Sequence, residues 1–215
     1  IAWIVNDCQS PILLLDKDLL ASADAVHAAI GRPVRLFATG SGDGKIAGLR
    51  SFAAGHSDTD AGRISGPDEV AIQLYTSGTT GNPKGALITN GNLSSFYRNA
   101  AVAIPMRRNG NHLIVLPLFH VAALIWSLRA FVHGGHCVGM SEFDAESLLE
   151  IIPRYDINDF AIVHTVLAMM VRAAEPGTRF DMDAIIVGGG ALTAQAARDT
   201  MALFGCPLFS TYGST

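Results

Sequence analysis

Short apolar runs at continuous or alternating spacing are followed, again and again, by stretches in which apolar residues recur every three or four positions, and this predicts a strand–helix alternation along the whole chain. Pro11–Asp16 reads as a buried strand, and Asp18–Ile30 as a helix with Leu19, Ala23, Val26 and Ile30 on one face, ended by Gly31 and Pro33. Val34–Ala38 is the next strand, and the β-α-β order implies a right-handed crossover with a parallel pair. Ile46–Ala54 reads as a short helix and residues 55–67 as a polar linker. Val70, Ile72 and Leu74 alternate with Ala71, Gln73 and Tyr75, giving a strand with one strongly apolar face, and Ala86–Thr89 is a second strand. Beyond it, Asn90 or Asn92 caps a helix with Leu93, Phe96, Tyr97, Ala100, Ala101 and Ile104 in one stripe. The alternation continues with strands at His112–Leu116, His136–Met140, Phe160–Val163, Ala184–Val187 and Pro207–Thr211. Its helices are Val121–Val132, Ala145–Ile152, one running to Ala174, and Ala194–Phe204. The fold class is α/β, with helices on the faces of layered sheets.

Between the strands ending at Tyr75 and starting at Ala86 lies a dense polar loop. Thr76, Ser77, Thr79 and Thr80 put four hydroxyls within five positions; Gly78, Gly81 and Gly85 let backbone amides approach a ligand, and Lys84 adds a mobile positive charge. Pro83 locks φ just ahead of the lysine. Backbone donors, short hydroxyls and a long cationic arm are what a polyphosphate requires. The G-x-x-x-x-G-K-[ST] loop does not fit, because Pro83 stands where its second glycine would be and Gly85 where its Ser or Thr would be.

Three further segments follow strands. Leu116-Pro-Leu-Phe-His-Val-Ala-Ala-Leu124 carries His120; taken alone, one histidine beside Phe119 is the mark of a packed residue. Val187-Gly-Gly-Gly-Ala-Leu-Thr193 permits a tight strand-to-helix turn that a flat ligand can approach. The chain closes on Phe209-Ser-Thr-Tyr-Gly-Ser-Thr215, which by itself is a strand end with a turn. Gly40-Ser-Gly-Asp-Gly44 lacks the third glycine of G-x-G-x-x-G and is a turn. His133-Gly-Gly-His-Cys137 crosses a helix end and a strand start, with no second cluster to complete a tetrahedral metal site, and its histidines are incidental. Asp144, Glu146 and Glu150 form the solvated face of a helix. No serine sits in G-x-S-x-G, which removes the usual hydrolase elbow.

Composition limits the possibilities. The 215 residues, 49% hydrophobic and 16% charged, describe a well-cored globular chain. A formal charge of −4 with scattered Lys and Arg gives no footprint for nucleic acid. Three widely spaced cysteines offer neither a disulfide framework nor a C-x-x-C site, so the expected compartment is the cytoplasm. Apolar runs stop near a dozen residues, too short for a transmembrane segment. The opening Ile-Ala-Trp-Ile reads as an element already under way, so the chain is expected to be a piece of something longer. Oligomeric state is not legible.

Tyr75-Thr-Ser-Gly-Thr-Thr-Gly-Asn-Pro-Lys-Gly85 resembles the phosphate-loop signature of the adenylate-forming enzymes: acyl- and aryl-CoA synthetases, nonribosomal peptide synthetase adenylation domains and beetle luciferases. The resemblance implies that residues 1–215 are part of the large N-terminal domain, without the C-terminal lid domain. It implies that Thr76, Ser77, Gly78, Thr79, Thr80, Gly81 and Lys84 hold the β- and γ-phosphates of ATP with Mg²⁺, Thr80 meeting the metal and Thr79 and Lys84 acting in catalysis. Gly188, Gly189, Gly190 and Ala191 are similar to the family's Gly-Gly-Ala-Pro-Leu adenine loop, with Gly190 replacing the alanine and Ala191 the proline. Tyr212, Gly213 and Thr215 match the Tyr-Gly-x-Thr-Glu motif, Tyr212 for adenine and Thr215 for the α-phosphate; the glutamate lies outside this sequence. His120 would face the substrate carboxylate, and His164 stands where many relatives have proline. The implied activity is an AMP-forming acid–thiol ligase: a carboxylic acid is activated as acyl-AMP and passed to coenzyme A, the isolated fragment being inactive. Two alternatives stay open, a non-catalytic nucleotide-binding module and an adenylation domain that loads a carrier protein.

Overall fold

The first two apolar runs pair as their spacing predicts: β1 (Ile12–Leu15) and β2 (Arg35–Ala38) run parallel in a continuous register from Ile12↔Arg35 to Leu15↔Ala38. The structure, a computed structural model, describes residues 1–77, 81–140 and 143–213. It divides into two compact units, residues 1–66 with 70–87 and residues 67–69 with 88–215.

In the first unit, α1 (Ala2–Asp7) and α2 (Ala23–Ala29) accompany β1 and β2. The single helix expected over Asp18–Ile30 is divided. Asp16 accepts a bond from the Lys17 amide (2.7 Å) and caps a 3₁₀ segment, Lys17–Ser22; the α-helix proper starts at Ala23, which packs with Leu15, Ala38 and Ile46. Likewise α3 (Leu49–Ala54) starts later than Ile46 because the preceding residues are already bonded. Asp43 accepts from the amides of Lys45 and Ile46, and Ala47 and Gly48 bridge to Gly42 and Ala38. The Gly40–Gly44 stretch is a turn, with Gly42 and Gly44 at φ of 71° and 87°. The remaining strands, β3 (Val70–Thr76) and β4 (Lys84–Thr89), form a two-stranded sheet, the last residues of β4 belonging to the second unit. The apolar face expected on β3 is not sealed: no residue of the strand is fully buried and Val70 is 51% exposed, since a two-stranded ribbon lacks a layer to cover it.

The second unit opens with α4 (Asn90–Ala103). Its cap is Thr89, not Asn90 or Asn92: the threonine hydroxyl accepts from the Asn92 amide while Asn92 Oδ1 accepts from the Thr89 amide, a reciprocal capping box. There follow β5 (Asn111–Ile114), α5 (Val121–Val132), β6 (His136–Gly139), α6 (Ala145–Arg154), β7 (Ile157–Val163), α7 (His164–Ala173), β8 (Ala184–Gly188), α8 (Ala194–Phe204) and β9 (Leu208–Ser210). The strands make a wholly parallel sheet in the order β6-β5-β7-β8-β9. Both faces are covered. Ile185 and Val187 of β8 join a core with Leu148, Leu167, Met170 and Phe204 of α6, α7 and α8, while Ala184 and Ile186 join Trp126 and Ile104 on the side of α4 and α5. Period-2 alternation thus serves two cores, which is why the run is continuously apolar. Burial of a side chain such as Phe204 (0% exposed) contributes about 1.5–3 kcal/mol. Gly205 at φ 67° ends α8 in the left-handed conformation. Asp144 is not on the helix face but caps α6, accepting from the Ser147 amide at 2.8 Å.

A polar cluster lies inside this unit. Arg129 interrupts the apolar run of α5, yet it is 0% exposed. Its Nη2 donates to the carbonyls of Ala100 (3.2 Å) and Ile104 (2.6 Å) at the end of α4, the first of which also accepts from the Ile104 amide (2.8 Å), and its guanidinium stacks 4.8 Å from the Trp126 ring centroid. Burial pushes its pKa below the usual range, with the charge of Asp159 opposing. Asp159, 3% exposed, bonds His112 Nδ1 at 2.9 Å. Register places Cys137, His112 and Asp159 side by side on β6, β5 and β7. Burial, and then the Asp159 charge, push the Cys137 thiol up, the reverse of what a nucleophilic cysteine needs. His133, next door, is held by a 3.0 Å contact of its Nδ1 with the Arg129 carbonyl.

Candidate functional site

The polyphosphate-loop candidates belong to the first unit. Thr76 ends β3 with its Oγ1 donating to the Lys84 carbonyl (3.5 Å), Ser77 and Gly81 are exposed, and Gly81 takes φ 128°. Lys84 is the first residue of β4 and is exposed, so the cation stands on a strand end beside Thr76 and not within the loop itself. Gly78, Thr79 and Thr80, and with Thr80 the expected Mg²⁺ contact, lie outside the described residues.

Two motif residues have jobs beneath the loop. A Cβ on Gly85 would lie 2.2 Å from Gln73 Nε2, so the glycine leaves room for that amide to cross. Gln73 Nε2 donates to Tyr75 Oη (2.9 Å), Tyr75 Oη donates to the Asp7 carboxylate, and Trp3 meets the Tyr75 ring edge-on at 6.0 Å. Nothing in the residue pattern singles out Asp7 or Gln73. Gly85→Ala would push aside a flexible side chain and break the Gln73–Tyr75 bond, a cost of about 1 kcal/mol, or a melting temperature about 2–4 °C lower. The double variant with Gln73→Ala is expected to melt no lower than Gln73→Ala alone.

The Tyr75 phenol is pushed up to about 12 by burial and then by the Asp7 hydrogen bond and charge. The folded chain therefore holds this proton more tightly than the unfolded chain, whose phenols titrate near about 10. Its contribution to stability is complete below about pH 10 and is lost as pH rises through about 12. Ultraviolet titration of wild type minus Tyr75→Phe should give a phenolate step near about 12; a step near about 10 would show that Asp7 does not grip the phenol.

The other candidates belong to the second unit and share one edge. Because all its strands are parallel, the segments after β5, β7, β8 and β9, four consecutive neighbours in the sheet, leave from the same carboxyl edge, where α/β proteins bind ligands. After β5 come Leu118 and Phe119, 59% and 72% exposed, and His120 at the N-cap of α5 with its ring 4.6 Å from that of Phe119. His120 is exposed, so it is not a packed core residue. After β9 come Thr211, whose amide donates to the Val187 carbonyl at 2.8 Å, then Tyr212, fully exposed, and Gly213. Thr215 lies outside the described residues.

The triple-glycine turn after β8 is seated on its neighbours. A Cβ on Gly188 would meet Thr211 Oγ1 at 3.0 Å; one on Gly189, which has φ 75°, would meet Val163 Cγ1 at 3.1 Å; one on Gly190 would lie 2.1 Å from His164 Cε1 and 2.4 Å from its Nδ1. Gly189, Gly190 and Ala191 are exposed on their outer side. A backbone cradle of this kind suits a flat ring, which can approach amide planes where no side chain intervenes. Val163 and Thr211 carry no signal in the sequence, because their role is a contact across strands. Among the described residues, no group of three His, Cys, Asp or Glu side chains is arranged to hold a metal. No helix among them is long and apolar enough to cross a membrane.

A family model described as AMP-binding enzyme matches residues 1–215. The chain is similar to 2-succinylbenzoate–CoA ligase of Geobacillus kaustophilus, 26% identical over 216 residues that cover 100% of this chain and 41% of the relative. It is also similar to the long-chain-fatty-acid–CoA ligase FadD13 of Mycobacterium tuberculosis, 30% identical over 175 residues covering 81% of this chain and 34% of the relative. The solved O-succinylbenzoate coenzyme A synthetase of Bacillus subtilis, in complex with AMP, shares the fold at a TM-score of 0.76 and 24% identity, covering 100% of this chain and 41% of its own. The chain thus spans about two fifths of the length of the first of these relatives.

Proposed function

We propose, since this chain belongs to the AMP-binding enzyme family, that it is part of the large N-terminal domain of an ATP-dependent acyl- or aryl-CoA ligase. The reaction begins when a substrate carboxylate attacks the α-phosphorus of ATP, giving an acyl-adenylate and pyrophosphate; a thiol, that of coenzyme A, then attacks the acyl carbon, forming the thioester and releasing AMP. Thr76, Ser77, Thr79, Thr80 and Lys84 would hold the β- and γ-phosphates, and Thr80 would hold Mg²⁺, which would supply further charge neutralisation. Gly188–Ala191 and Tyr212 hold the adenine, Thr215 the α-phosphate, and His120 the carboxylate end. Chemistry of this kind asks mainly for positioning and charge stabilisation. The compartment that fits these substrates and the free cysteines is the cytoplasm.

The observation that supports this reading most is the common carboxyl edge that His120, the triple-glycine turn and Tyr212 share, with a cradle of glycines whose inner side is filled and whose outer side is open. The relatives' names add two acid classes, an aromatic succinyl acid and long-chain fatty acids. The test is carboxylate-dependent ATP–pyrophosphate exchange by the full-length enzyme across aromatic and fatty acids. Exchange that appears only when an acid is added supports the reading. AMP binding without exchange for any acid points instead to a non-catalytic nucleotide module, and neither binding nor exchange overturns both.

A further inference from the structure

We propose that His164 is a positioning residue for the base-binding turn, its imidazole wedged against Gly190 so that the pair sets where the Gly188–Ala191 backbone stands; this rests on the adenine role proposed above. The observations come from three places. The ring occupies the space that any side chain at 190 would take, with three of its atoms between 2.1 and 3.0 Å from the missing Cβ. His164 is the first residue of α7, directly after the five-residue β7–β8 ladder from Asp159↔Ala184 to Val163↔Gly188, so its backbone is fixed by the same register that fixes the start of the turn. Finally, its Nδ1 is buried and makes no hydrogen bond within the protein. A buried polar atom without a partner costs stability and is retained where shape matters more than bonding.

The other two glycines are closed from behind less tightly, by Thr211 Oγ1 at 3.0 Å and Val163 Cγ1 at 3.1 Å. Contacts of that length yield by a few tenths of an ångström, whereas 2.1 Å from a ring carbon requires either the ring or the turn to move. Swinging the ring aside would mean repacking a side chain whose Nδ1 is already buried. The turn is therefore the part that shifts when residue 190 acquires a side chain, and the amide planes facing the ligand shift with it.

The test is a double-variant cycle in the full-length enzyme, read by AMP binding in titration calorimetry and by the KM for ATP in pyrophosphate exchange. Gly190→Ala is expected to weaken AMP binding about tenfold and raise the KM for ATP to match, with the KM for the acid within about twofold of wild type. His164→Ala alone is expected to weaken AMP binding about threefold. Together, H164A/G190A should return to within about threefold of wild type, because the methyl then fills the space the ring has left. Thermal melting of each variant separates a misfolded protein from a displaced turn, and the double variant keeps the proposal testable if G190A alone does not fold. A double variant as weak as G190A, or losses shared equally between ATP and acid, would overturn the wedge. Failure of the wild type to bind AMP would instead overturn the adenine assignment.

Discussion

Alanine at both Thr79 and Lys84 of the full-length enzyme is expected to slow carboxylate-dependent ATP–pyrophosphate exchange by about ten- to a thousandfold. Each replaces a group that would meet phosphate oxygens as charge moves onto pyrophosphate, and one preorganised donor commonly supplies a few kcal/mol in such a site. The geometry makes the test clean for the lysine. Lys84 is exposed at the head of β4, and the bond that its residue makes to Thr76 Oγ1 uses the backbone carbonyl, which alanine keeps. Melting should therefore stay within about 2 °C of wild type for Lys84→Ala, so a lost rate is lost chemistry and not lost structure. If both groups act on the departing charge, kcat falls more than the KM for ATP rises; if they only bind the tail, the KM carries the change. An unchanged exchange rate would remove the loop from the mechanism.

Arg129→Ala should destabilise the protein by about 3 kcal/mol, a fall in melting temperature of about 6–12 °C. The substitution leaves the Ile104 carbonyl without the Arg129 donor and the Ala100 carbonyl with the Ile104 amide alone, opens a cavity beside Trp126, and strips Asp159 of a neighbouring charge that bears on the same cluster. Lysine at 129 retains the charge but lacks the planar guanidinium that lies against Trp126 while its Nη2 serves both carbonyls, so R129K should recover only part of the loss. Thermal unfolding of the three proteins decides it, and a drop below about 2 °C for R129A would mean that the buried guanidinium contributes little net stability.

Arg129 also marks where sequence reading stops. The bounds of α5 and α8 are recovered residue for residue from periodicity, and the parallel β1–β2 pair from the order of elements, because these signals are local. β7 starts at Ile157, ahead of the Phe160 expected from its apolar residues, for a different reason. Asn158 and Asp159 look like loop residues, but the Asn158 side chain accepts from the Asn111 amide at a register shift, and Asp159 is matched by His112. Polar residues bonded to partners 47 positions away carry no local mark of burial. The same holds for the site. The hydroxyls, the lysine and the glycine run stand out as composition, and their resemblance to a family signature supplied roles for them. What lies beneath them does not stand out: Asp7 and Gln73 under the loop, Val163 and Thr211 behind the glycines. Those residues matter through contacts, and contacts belong to the fold.

The strand order of the second unit bears on how that fold is reached. β5 and β6 are neighbours and can pair first; β7 then joins the free side of β5, β8 joins β7, and β9 joins β8. At no stage does a strand have to insert between two already joined. The sheet can grow outward from β5 as the chain emerges during synthesis, each new edge on that side serving as template for the next arrival, so that its vectorial assembly needs no unpairing.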